Sequence, residues 1–319
     1  MHVLVTGAAG FAGSHLVNHL SSLGHTVFGL VLTSEFDSTN RYAFEPVTGD
    51  LLDPDSLANA IRKSQAQVIY HLAGQADVGL SWRKPGLTIM VNTIGTVNLL
   101  EAAIAEEVET IVAVTSAELY GPQPREKMPI TAESLPNPWH PYAVSKLAAG
   151  HLLSIYQRRY EEQIRIIEAR PFNHIGPGQA TGFVVPDFAK QIAQMRAEKI
   201  PPLLRVGNLD AERDFTDVRD VVRAYALLAE KGEAGKMYHI CSGQPVPIFT
   251  IVNILAELAE ISLDIEYDPD RMRPSDTPVL YGSFSDLRRD TGWTPEIHMR
   301  QSLAEALAEW DEKVRAGTV

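Results

Sequence analysis

Tyr142-Ala143-Val144-Ser145-Lys146 sets a phenol and an ammonium four residues apart, on one face if the segment is helical. A cation beside a phenol favours phenolate, so such a tyrosine can exchange a proton near neutral pH. The pair alone would suit a solvated helix face equally well. Two other segments change that balance. Thr6-Gly7-Ala8-Ala9-Gly10-Phe11-Ala12-Gly13 spaces three glycines three apart: one for a tight turn, one for close backbone approach to a pyrophosphate, one for close helix packing. Val114-Thr115-Ser116-Ala117-Glu118-Leu119-Tyr120-Gly121 sets a hydroxyl, Ser116, and a carboxylate, Glu118, just after an apolar run. A hydroxyl there can steady the oxygen with which Tyr142 exchanges its proton.

These groups converge only if the elements carrying them do. Short β-branched runs predict strands at His2 to Thr6, Thr26 to Val31, Gln67 to Leu72, Thr110 to Thr115 and Arg165 to Ala169. Between them, Phe11 to Leu23, Pro54 to Ser64, Pro85 to Glu106 and Tyr142 to Tyr160 have the pattern of helices, several opened by proline or a polar cap. That alternation predicts an α/β fold, a doubly wound parallel Rossmann sheet, with the glycines at the first strand-to-helix junction and Ser116 at the carboxyl end of a central strand. After Pro171 the chain becomes richer in loops, which predicts a smaller C-terminal substrate-binding α/β lobe. The expected organisation is a dinucleotide-binding unit over 1–172, with 214–242 returning to it, and a substrate lobe over 173–213 and 243–319.

Composition narrows the partners. Twenty-eight basic against 40 acidic side chains give a net charge of −12, which disfavours a nucleic-acid backbone. The single cysteine, Cys241, cannot form an intrachain disulfide and fits a reducing compartment. No apolar run approaches the roughly eighteen residues of a membrane span, and a signal peptide is not expected. A cytoplasmic protein with no metal is the expectation.

The glycine spacing resembles that of the short-chain dehydrogenase/reductases, and Gly49-Asp50-Leu51, His71-Leu72-Ala73-Gly74 and the Asn92-Thr93-Ile94-Gly95 segment resemble further family motifs in the same order. The resemblance implies a nicotinamide dinucleotide held by Gly7, Ala9, Gly10, Phe11 and Gly13, with Asp50 and Leu51 at the adenine. Leu72, Ala73 and Gly74 would flank the cofactor, and Tyr142 and Lys146 would reach its ribose. Asp50 would equally serve as a helix cap. Ser116, Tyr142, Lys146 and the structural Asn92 form the family's catalytic set, with Glu118 as a neighbouring carboxylate. After the second strand, Leu32-Thr33-Ser34 offers neither the acid that favours NAD nor the arginine that favours NADP, so NADP(H), NAD(H) or dual use is expected.

Arg170-Pro171-Phe172-Asn173-His174-Ile175-Gly176-Pro177-Gly178 resembles the extended, nucleotide-sugar-modifying branch of that family, and Gly207 to Phe215 with Asp217-Val218-Arg219-Asp220 resembles its GDP-mannose group. The resemblance spans essentially the whole chain. It implies substrate contacts at Ser81 and Asn173, with Arg213, Arg273 and Lys190 as candidates for the diphosphate, where guanidinium forms paired hydrogen bonds. Surface charge or an internal ion pair is the alternative for each of the three. The implied partner is a GDP-linked 6-deoxy-hexulose. The implied reaction is reduction of the 4-keto group of GDP-4-dehydro-6-deoxy-D-mannose to GDP-D-rhamnose. With Ala117 beside Ser116, one carboxylate remains for 4,6-dehydration of GDP-mannose, which stays the alternative; a non-catalytic NAD(P)-sensing interaction protein is a third reading. A homodimer through the helices at 85–106 and 142–160 is a family expectation.

Overall fold

The structure, a computed structural model, describes residues 1–34, 36, 42–271 and 277–318; Arg273 lies outside the described residues. The first half alternates strand and helix. Strand β1 (His2–Thr6) runs into α1 (Phe11–Ser22), then β2 (Thr26–Val31), β3 (Glu45–Thr48), α2 (Pro54–Ser64) and β4 (Val68–His71). Helix α2 begins with proline, whose missing N–H costs nothing there, and Asp53 caps it by accepting from Ser56 N at 3.2 Å. A short α3 (Val78–Arg83), capped by Asp77, precedes α4 (Pro85–Ile89), a π-helical turn at Met90–Ile94, and α5 (Gly95–Ala105). The single helix expected from Pro85 to Glu106 therefore carries an extra-residue turn. Strand β5 (Thr110–Val114), a 3-10 turn at Ala117–Tyr120, α6 (Pro141–Arg159) and β6 (Arg165–Pro171) close this half. The remainder runs β7 (Asn173–Ile175), α7 (Val184–Arg196), β8 (Leu203–Val206), β9 (Glu212–Asp217), α8 (Val218–Lys231), β10 (Met237–Ile240), β11 (Pro245–Pro247), α9 (Ile248–Ala259), β12 (Asp264–Tyr267), β13 (Val279–Leu280), α10 (Ser285–Thr291) and α11 (Met299–Ala316).

Seven parallel strands form one sheet in the order β3-β2-β1-β4-β5-β6-β10. Side chains alternate across it, so Val3 and Val5 pack with α1 and α8 on one face while Leu4 packs with α2 and α5 on the other. Both faces are covered, which explains why these strands are apolar throughout. Strand order reverses between β1 and β4, and this is where a doubly wound sheet opens a crevice at the carboxyl ends of its strands. The glycine loop after β1, the 72–75 loop after β4 and Ser116 after β5 all lie on that edge.

A second core joins α7, α9 and α11 through Ile192, Leu204, Ile251, Leu255, Leu303 and Trp310. Its strands form two small sheets, β11-β9-β13 with β7 added to β9, and β12-β8. The Phe11 ring, at the start of α1, stacks on His174 with centroids 5.7 Å apart and planes at 10°. One turn along, His15 Nε2 lies 2.9 Å from Pro177 O. Segment 173–178 is thus fastened to the helix that follows the glycine loop.

Candidate active site

Gly7 takes φ +72°, and a Cβ there would press on Ala73 N at 2.9 Å. A Cβ on Gly13 would be driven into the Gly7 carbonyl oxygen. Gly10 caps α1 without a side chain, so the first amides of α1 receive no side-chain cap. Exposed Ala9 and Gly10 sit above those amides, a cradle of N–H donors and partial positive charge suited to a pyrophosphate. The residues present fit a dinucleotide. Asp50 is exposed, with Oδ1 accepting from Leu52 N at 2.9 Å; the cap of α2 is Asp53, not Asp50. Leu51 is buried against Gly95, and Leu72, Ala73 and Gly74 border the opening.

Tyr142 enters on the first turn of α6, and Ser116 caps the 3-10 turn opposite, its Oγ accepting from Glu118 N at 3.2 Å. Burial pushes the Tyr142 phenol up to about 12, the Glu118 carboxylate adding to the rise and a hydrogen bond with Ser116 opposing it. Lys146, a turn further on, donates from Nζ to Val114 O at 3.0 Å. Burial pulls its ammonium down to about 8, against the attraction of Glu168. Burial is the largest influence on Tyr142 and holds the phenol in its protonated form.

Asn92 lies in the π-helical turn and is 2 % exposed. Its Oδ1 accepts from Gln75 N at 2.7 Å, while Nδ2 donates to Gln75 O and to Ser145 Oγ, each at 3.0 Å. All three bonds tie the 72–75 loop to α6, so Asn92 holds the frame rather than facing the opening. Glu118 is joined by a residue that sequence reasoning missed. His140 caps α6 by accepting from Ala143 N at 3.1 Å through Nδ1, its ring stacks on Tyr142 at 6.0 Å, and Nε2 lies 3.4 Å from Glu118 Oε2. With Nδ1 accepting, a neutral ring carries hydrogen on Nε2 and donates to Glu118. The signal available was a polar residue just before Pro141, a helix-start pattern in which histidine is an uncommon cap.

Beneath the site, Glu168 Oε1 accepts from Thr115 Oγ1 at 2.5 Å and from Arg170 Nε and Nη2 at 2.9 and 2.6 Å. Arg170 Nη1 continues to Tyr120 Oη at 2.6 Å, which lies 2.7 Å from His239 Nε2. This buried chain ties β5, β6 and β10 together and appeared in the sequence only as scattered polar residues.

The expected substrate residues are less uniformly placed. Asn173 opens β7, half-buried, next to the Phe11–His174 stack. Ser81 is fully buried, its Oγ donating to Val78 O at 2.7 Å. Lys190 lies over the Trp310 ring with Nζ 5.7 Å from the centroid, between α7 and α11. Arg213, on β9, donates to Thr277 O at 2.5 Å and Glu212 O at 3.0 Å. Lys190 is thus engaged with an aromatic ring and Arg213 with two backbone carbonyls.

Comparison with known proteins agrees with this fold. The model of the GDP-mannose 4,6 dehydratase family matches residues 4–306. A GDP-6-deoxy-D-mannose reductase from Pseudomonas aeruginosa is 41% identical over 314 residues, covering 98% of each chain. A UDP-glucose 4-epimerase from Mycolicibacterium smegmatis is 30% identical over 318 residues, covering 96% of this chain and 97% of its own. Among solved structures, RMD from Pseudomonas aeruginosa complexed with NADPH superposes with a TM-score of 0.86 at 38% identity, covering 98% of this chain and 100% of that one.

Proposed function

Since the chain belongs to the GDP-mannose 4,6-dehydratase family, we propose that it reduces the 4-keto group of GDP-4-dehydro-6-deoxy-D-mannose to GDP-D-rhamnose. A bound nicotinamide dinucleotide supplies the hydride for C4. Gly7, Ala9, Gly10, Phe11 and Gly13 hold its pyrophosphate, and Asp50, Leu51 and Leu72 to Gly74 hold the rest. Tyr142 gives its proton to O4 as negative charge develops there, and Ser116 donates a hydrogen bond to the same oxygen. The observation that carries the reading is geometric: Tyr142 opens α6, Ser116 follows β5, and Lys146 of the same helix is bonded to Val114 O at the end of β5. An acid must arrive protonated, and an alkoxide is basic enough to take a proton from a phenol. Lys146, still charged at neutral pH, steadies the phenolate left behind and positions the ribose. Ser81, Asn173, Lys190 and Arg213 are assigned to the GDP-sugar.

Either NADPH or NADH serves as donor in this reading, since Leu32, Thr33 and Ser34 at the end of β2 include neither an acid nor an arginine. The unit built from 1–172 with 214–242 carries the dinucleotide, supported by β10 lying beside β6, and 173–213 with 243–319 carries the sugar. A homodimer is assigned to the face where Leu87, Met90, Ile94, Val144 and Ile155 are exposed, an apolar patch that water would otherwise cover. Helix 85–105 is apolar enough to cross a membrane by length and composition, but half of it is buried in the fold, as in a core helix of a soluble protein; the compartment assigned is the cytoplasm.

The test is incubation of the purified protein with GDP-4-dehydro-6-deoxy-D-mannose and NADPH or NADH, following loss of reduced-nicotinamide absorbance and identifying the sugar. Stoichiometric oxidation with GDP-D-rhamnose as product is expected. One observation favours a second reading: His140 holds the Glu118 carboxylate beside Ser116, where it could remove a proton from C5. Release of 4-keto sugar from GDP-mannose with no added reductant would move the assignment to 4,6-dehydration.

A further inference from the structure

His71, the last residue of β4, has no part in the chemistry assigned above, yet it is 4 % exposed and both of its ring nitrogens are paired. The pairing has only one consistent direction. Asn92 O can only accept, so Thr96 Oγ1, at 2.7 Å, gives its single proton to it. Thr96 can then only accept from His71 Nε2, at 3.0 Å. Nε2 therefore carries the hydrogen. Burial, with the charge of Lys146 adding to it, pulls the imidazole down to about 3, so Nδ1 is bare and accepts from Thr6 Oγ1 at 2.9 Å. Thr6 in turn accepts from Ala73 N at 3.0 Å. The chain runs from the Ala73 amide through Thr6, His71 and Thr96 to the carbonyl of Asn92, and each hydroxyl gives one bond and receives one.

The two ends of this chain matter. Ala73 presses on Gly7, at the turn of the glycine loop. Asn92 holds Gln75 and, through Ser145, the helix that bears Tyr142 and Lys146. We propose that His71 is a positioning residue for the dinucleotide, its fixed Nε2–H tautomer clamping the 72–75 loop between the glycine turn and the π-helical turn of Asn92. This rests on the reading of residues 72–74 as one wall of the dinucleotide site. Imidazole suits the task because one rigid ring presents an acceptor and a donor to two alcohols on opposite sides; an aliphatic side chain would leave the buried Thr6 hydroxyl proton without an acceptor and the Thr96 oxygen without a donor.

The test measures NADPH affinity directly, by fluorescence titration of the whole protein without sugar, alongside KM and kcat. His71→Leu and Thr6→Val should each weaken NADPH binding by about ten-fold, with KM for NADPH rising in parallel and kcat changing far less. The double variant should be no weaker than the worse single one, because both cut the same chain. His71→Gln, whose amide offers one acceptor and one donor, should bring affinity back to within about three-fold of wild type. A role confined to folding would lower the unfolding midpoint but leave the Kd of the folded protein unchanged. Folded His71→Leu with wild-type affinity, or a Gln variant no better than Leu, would overturn the proposal. If His71→Leu does not fold, Thr6→Val decides: unchanged affinity there sinks the clamp. Wild-type protein that binds no NADPH or NADH would overturn the dinucleotide reading beneath it, a distinct result.

Discussion

At the scale of single residues, the site works by opposed shifts. Burial raises Tyr142 and lowers Lys146, so at neutral pH one is an uncharged acid and the other a cation close to losing its proton. Tyr142→Phe removes the acid and keeps the ring, so kcat should fall by roughly 10²–10⁴-fold while KM for either substrate changes little; steady-state kinetics check this. The Lys146 value sets the direction of pH dependence. Below pH 8 the ammonium is charged and can support a phenolate; as pH rises through about 8 the charge is lost and kcat/KM should decline. Lys146→Met should have a low kcat/KM without that alkaline limb, and a pH–rate profile of both proteins distinguishes this from general instability. Glu118 and His140 meet across 22 positions of sequence, and no local pattern announces such a pair.

At the scale of elements, much of the frame was legible and the reasons are local. The limits of β1, β2 and α2 agree with those expected from sequence because glycine turns, Pro54 and the polar residues before it punctuate the chain there. The π-helical turn was not legible: its apolar spacing continues that of a helix, and what distinguishes it is Asn92 bonding Gln75 seventeen residues away. Ser116, Tyr142 and Lys146 could be placed because each follows a strand end or a helix start, whereas Lys190 and Arg213 depended on tertiary placement that charge alone does not encode. Two predictions belong here. Gly13→Ala forces a methyl against the Gly7 carbonyl, so the turn must open and NADPH affinity should fall by more than about ten-fold, read by the same titration. Glu168→Gln strips the countercharge from Arg170, which is 8 % exposed, and should destabilise the protein by about 3–5 kcal/mol in urea unfolding. Its effect should exceed that of any exposed ion pair, such as Arg300 with Glu257.

At the scale of the molecule, acid should loosen the fold through its buried neutral imidazoles. His71 and His239 are each held near 3 in the folded chain, chiefly by burial, against 6.5 for an ordinary histidine. Between those values the unfolded chain binds protons that the folded chain refuses. Their contribution is therefore complete above pH 6.5 and shrinks as pH falls towards 3, by about 1.4 kcal/mol per pH unit for each. Urea midpoints across that range should show it, and His71→Gln should flatten the slope by one proton.

The contact between Phe11 and His174, with His15 on Pro177, joins the helix start assigned to the pyrophosphate to the strand that begins at Asn173. Whatever settles one side settles the other, and thermodynamic linkage makes the effect mutual: NADPH should tighten GDP binding by the same factor by which GDP tightens NADPH. Titrations of each with and without the other measure that factor, and Phe11→Ala should bring it towards one. During turnover, this joint makes the complex that holds both ligands the tightest one, so each should leave more slowly while the other is in place.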